Sequence, residues 1–74
     1  MNDPRDKLSK DFLEVARELV EAAKHAEIAS THFANNDIPR ACAHSTATQG
    51  HIHAAETLIR EFQLTHRKFA RTEP

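Results

Sequence analysis

The chain has one glycine, one cysteine, no tryptophan and no tyrosine in 74 residues. Each shortage excludes something. A single glycine rules out a phosphate-cradling glycine-rich loop. The one cysteine, Cys42, rules out an internal disulfide framework and reads as an ordinary reduced thiol. Charge of one sign is lacking too, because Lys and Arg number 10 against 11 Asp and Glu, for a net charge of −1. With no basic patch or stripe, nucleic acid is not an expected partner. No apolar run approaches the roughly 18 residues of a membrane span. Met1-Asn2-Asp3-Pro4-Arg5-Asp6 lacks the apolar stretch of a signal peptide. A cytoplasmic location and no membrane partner are the expectations.

Alanine and histidine are plentiful instead. Twelve alanines with one glycine favour helix. Apolar residues at Leu8, Phe12, Val15, Leu19, Ala22, Ala26, Ala29 and Phe33 step by four and three in turn, a heptad seam on a first helix. Leu13, Ala16, Val20 and Ala23 form a second stripe beside it, making the apolar face wide enough for a bundle of three or four helices. Asp3 before Pro4 gives a start signal, with Ser9 as an alternative cap. The break is Asn35-Asn36-Asp37-Ile38-Pro39. Asparagine tolerates the left-handed geometry that ends a helix, and Asp37 or Asn36 can cap the next, with Pro39 in its first turn.

On the second helix Ala41, Thr48, Ala55, Phe62 and Phe69 repeat every seven residues. His44, His51 and Leu58 flank that row on one side, and Ser45, Ile52, Ile59 and His66 on the other. Gly50 falls mid-helix, where a close helix–helix approach would explain it. The fold predicted is all-α: a single antiparallel two-helix hairpin over residues 1–74, with helix 1 at about 4–35, a turn at 35–39 and helix 2 at about 39–70. Two helices cannot cover both broad faces, so the hairpin is expected to form a homodimer, a four-helix bundle. The expected core is apolar far from the turn, and rich in Ala, Ser, Thr and His near it.

Six histidines stand in the chain, and four are ordered. His25 and His32 are seven apart on helix 1, and His44 and His51 seven apart on helix 2. In an antiparallel hairpin, facing residues have a constant total of residue numbers. His32 with His44 and His25 with His51 share the total 76, which predicts two His–His levels. His44 and His51 fall on the seam. His25 and His32 flank it, in line with Asp11 and Glu18.

Paired imidazoles facing across a bundle suit Zn, Cu, Ni or Fe. His25, His32, His44 and His51 are therefore the candidate metal ligands, with Zn, Cu or Ni as the candidate ions. Glu21, four residues before His25, is a candidate supporting carboxylate. Two other readings remain open. The histidines can be polar packing, hydrogen-bonded across the seam to Ser45, Thr48 or each other. They can also make an interface that responds to pH, since protonating all six takes the net charge from −1 to +5. His51 and His53, two apart, point to different sides of a helix and are no chelating pair. His53 and Glu56 read as a solvated surface pair.

The sequence holds no Glu-x-x-His, no His-Glu-x-x-His and no Cys-x-x-Cys, and its serines have no triad context. An enzyme is not expected. A non-enzymatic module is, with a second copy of itself as partner, or a partner helix in a groove.

The pieces His32-Phe33, Asn36-Asp37, Ala43-His44, Gly50-His51 and His53-Ala54, within residues 25–56, resemble a group of small histidine-rich bacterial helical-hairpin proteins of unknown function. That group often has histidine doublets where this chain has single histidines. The resemblance implies a bacterial source and a hairpin, and no established activity.

Overall fold

The computed structural model describes residues 4–66. Two helices make up the described chain: α1, Pro4–Ala34, and α2, Ile38–His66. They lie side by side in a slab of 51 × 28 × 20 Å. The helix boundaries agree with the periodicity to within a residue at the turn. The Asp3 cap, Phe69 and the expected end of helix 2 near Ala70 lie outside the described residues.

Three residues reverse the chain, and their backbone groups explain how. Asn36 takes a left-handed φ of 60°. Its N–H bonds to Phe33 O at 3.1 Å, and Asp37 N–H reaches back to His32 O at 2.8 Å. These two bonds satisfy carbonyls that the end of α1 would otherwise orphan. Asp37 then opens α2. Its carbonyl accepts from Ala41 N–H at 3.1 Å. Its carboxylate accepts from Arg40 N–H at 3.3 Å, which makes it the N-cap. Pro39 falls in the first turn, where its missing N–H leaves no gap.

The faces in contact differ from the expected seam on α1. Leu8, Asp11, Val15, Glu18, Ala22, His25, Ala29 and His32 are buried or half-buried there, with Glu14 and Glu21 half-buried at the edge. The heptad step holds, but the helix is rotated by one row. Phe12, Leu19 and Phe33 were expected on the seam and are 42%, 47% and 50% exposed. The polar row Asp11, Glu18, His25 and His32 takes their place against α2. On α2 the seam is Ala41, His44, Thr48, His51, Ala55, Leu58 and Phe62, whereas in the second flanking row Ser45 and Ile52 are exposed and Ile59 and His66 half-buried.

Small residues account for this choice. The core consists of Val15, Ala22, Ala29, Ala41 and Ala55, four of them alanines. Alanine lets two helix backbones come close, and a bulky Phe or Leu row between them would hold them apart. Large apolar side chains meet at the open end, where Phe12 and Phe62 pack edge to face at 5.1 Å. The expected gradient from an apolar end to a polar, alanine-rich turn end is therefore present. Gly50 is not a close-approach site. It is exposed, and a Cβ built there would meet nothing within 4 Å.

Candidate functional site

Four imidazoles and one carboxylate form a ladder between the helices. Successive rungs alternate between the two helices: Glu18, His51, His25, His44, His32. Glu18 Oε2 lies 2.9 Å from His51 Nδ1. The His51 and His25 rings stack with centroids 5.4 Å apart, at 14° between planes. His25 and His44 follow at 5.1 Å and 29°, with Nδ1 to Nδ1 at 2.9 Å. His44 and His32 close the series at 5.6 Å and 21°.

Helix geometry produces this spacing. Histidines seven apart on one helix are separated by about 10.5 Å along its axis. The antiparallel partner carries the same step, offset by half. Its rings enter the gaps and halve the interval to about 5 Å, a ring-stacking distance. The two levels expected from the total 76 appear as the stacked pairs His25–His51 and His32–His44. The closer contacts, His25–His44 and Glu18–His51, belong to a second level whose residue numbers total 69.

Glu18 was legible only as a member of the row Asp11, Glu18, His25, His32. Glu21 does not join the ladder; its carboxylate pairs with Lys24 at 3.2 Å. Thr48 does not bond to a histidine ring either. Its hydroxyl donates to the His44 carbonyl at 2.8 Å. Ser45 is exposed. Of the packing partners expected for the histidines, the rings themselves are the ones found. His53, Glu56 and Cys42 are exposed on the outward side, as expected.

The ladder is half-buried, with His51 and Glu18 side chains at 31% and 22% exposure. Each Nδ1···Nδ1 or Nδ1···O contact needs a proton in one place and a lone pair in the other. The His25–His44 bond therefore requires one ring to present an unprotonated Nδ1. Among the described residues, no group of three or more His, Cys, Asp or Glu side chains is arranged to hold a metal ion. Stacking explains this for the imidazoles, because the lone pairs lie in ring planes that run side by side.

The two flanks of the seam contrast. The ladder row continues toward the open end into Asp11 and Leu58. There Lys7 donates to Asp11 Oδ2 at 2.7 Å. That hydrogen bond, then the charge of Asp11, raises the Lys7 ammonium above its ordinary value, with Glu61 of α2 adding to it. On the other flank a shallow depression is lined by Ala26, Ala29, Ser30, Phe33, Ser45 and Thr48. It places the row Phe12, Leu19, Ala26, Phe33 and the row Ser45, Ile52, Ile59 on one side of the slab. Between Phe12 and Phe33 and between Ser45 and Ile59 these rows carry no charged residue, and the same step carries them on to Arg5 and His66.

The fold and the ladder define a two-helix hairpin with a histidine-lined seam and one exposed apolar face. Comparison with protein-family models, curated proteins and solved structures gives no match. Function has to be inferred from the side chains. Among the described residues, no helix is long and apolar enough to cross a membrane.

Proposed function

We propose that this chain is a non-enzymatic helical-hairpin module that pairs with a second copy of itself to make a four-helix bundle. The observation that carries this reading is the pair of apolar rows bearing Phe12, Leu19, Phe33 and Ile52, all exposed in the single hairpin and uncharged over their middle length. A two-fold interface sets a surface against itself, so a like charge on it would meet its own image. The middle of these rows, from Phe12 to Phe33 and from Ser45 to Ile59, has none to repel.

The rotation of α1 also makes sense in such a bundle. A helix in a four-helix bundle has one flank against its neighbour and an apolar row aimed at the centre. Phe12, Leu19 and Phe33 would be central, and the alanine and histidine rows would form the flank. The ladder then stays on the outer side of the bundle and takes no part in the pairing. Sedimentation equilibrium tests the reading. A mass of two chains at micromolar concentration is expected, and a monodisperse single chain across the micromolar range rejects it.

A further inference from the structure

We propose, resting on the self-pairing above, that Phe12 of a second copy fills the depression at Ala26 and Ser45, so that the two hairpins of the dimer lie with their turns at opposite ends. The order of large and small side chains along the apolar face carries the proposal. The ladder fixes which residues stand level, because His44 lies between His25 and His32, and His51 lies between Glu18 and His25. In that register Ile59 is level with Phe12, Ile52 with Leu19, Ser45 with Ala26 and Ile38 with Phe33, to within a helical turn. From the open end toward the turn, the face is therefore large, large, small, large. The small level is the depression, lined by Ala26, Ser45 and Thr48 with Phe33 beside them.

Two directions of pairing cover the face over its whole length. With both turns at one end, the two-fold axis runs along the helices. Each level then meets itself. Leu19 and Ile52 hold the slabs apart while depression lies on depression, and atoms that line a void lose their contacts. The same arrangement gathers Arg5 and His66 of both copies at one end.

With the turns at opposite ends, the axis crosses the helices. Full overlap puts it at the middle of Pro4–Ala34 and of Ile38–His66, and those middles are Leu19 and Ile52. Phe12 and Ala26 are each seven residues from Leu19, and Ile59 and Ser45 are each seven from Ile52. The rotation therefore lays Phe12 and Ile59 of one copy over Ala26 and Ser45 of the other. Large meets small on both sides of the axis, and Arg5 and His66 of the two copies stand at opposite ends. Phe12 has surface to give, since it stays 42% exposed beside Phe62. A second copy is the occupant this spacing suits, because a two-fold axis presents the ridge at the same distance from the centre as the socket.

The test is double electron–electron resonance on the full chain, spin-labelled at the turn in a Cys42→Ala, Asn35→Cys variant. Both positions are exposed. Residue 35 is 16 residues from Leu19. With the turns at opposite ends the two labels are roughly 48 Å apart along the bundle, and with the turns together only its width, roughly 20 Å, parts them. A distance above about 35 Å is expected, and a shorter one overturns the direction of pairing while the dimer stands. A single chain by sedimentation, with no distance between labels, overturns the pairing itself. Side-chain exchange tests the socket. Ala26 is exposed in the hairpin, so Ala26→Phe should leave the helices intact by circular dichroism and weaken self-association at least tenfold. Adding Phe12→Ala to that chain should restore part of the loss, because the two positions meet across the axis. Full self-association with Ala26→Phe alone, or no recovery in the double variant, overturns the socket.

Discussion

Replacing Leu19 tests the apolar face most directly. Leu19 is 47% exposed in the single hairpin, so about half of its side chain remains to be buried by a partner. Full burial of a leucine side chain is worth about 1.5–3 kcal/mol, which leaves roughly 1 kcal/mol for the interface. Two-fold symmetry counts each contact twice, so Leu19→Ala removes about 2 kcal/mol per dimer, a roughly 30-fold rise in Kd. Alanine is the better helix former, so α1 itself should be undisturbed. Leu19→Glu sets two carboxylates against an apolar partner surface and should give monomer alone. Ile28 supplies the control. It is 40% exposed, close to Leu19 in exposure, but shares its row with Glu14 and Glu21 on the other flank of the seam. Ile28→Glu should leave the mass unchanged. Sedimentation velocity over a hundredfold range of concentration reads all three variants. If Leu19→Glu and Ile28→Glu behave alike, the face is not the interface and the reasoning fails.

Other positions give sharper local expectations. Gly50→Ala should raise stability by about 0.5–1 kcal/mol in thermal unfolding, since the new Cβ meets nothing within 4 Å and glycine is a poor helix former. Asp37→Ala should cost about 1 kcal/mol by losing the cap on Arg40 N–H, measured by urea unfolding.

The hairpin was legible because its signals are local. Asn36-Asp37 placed the reversal, and heptad spacing on both sides fixed two helices of matching length. The histidine levels were legible from simple register arithmetic, and the stacked pairs His25–His51 and His32–His44 answer to it. What spacing could not give was which of two adjacent rows faces the neighbour. Hydrophobicity favours Phe12 and Leu19 there, and packing distance favours Ala22, Ala29 and the histidines. Packing distance wins, because the small core residues Ala41 and Ala55, 0% and 1% exposed, draw the backbones together. The same rotation brings Glu18 into the ladder in place of Glu21. Periodicity alone also could not anticipate the diagonal His25–His44 contact, which depends on a half-step offset between helices.

That contest of rows has a consequence for stability. Five residues form the core of the single hairpin, and only Val15 among them is larger than alanine. Ordering a residue costs about 1–2 kcal/mol in backbone entropy alone, and burial of four alanine methyls returns little of it. Surface pairs such as Lys7–Asp11 and Glu14–Arg17 add a few tenths of a kcal/mol each. Leu8, Leu58, Ile59 and Phe62 are half-buried, and the other large apolar side chains of the described residues are the ones a lone hairpin leaves in water. If a second copy covers them, folding and pairing are one event, and the unfolding midpoint must rise with protein concentration. A midpoint followed by circular dichroism from 1 to 100 µM should climb by several degrees. A midpoint that stays fixed over that range, in a chain that remains cooperative, would mean that alanine contacts and a histidine ladder hold the hairpin unaided.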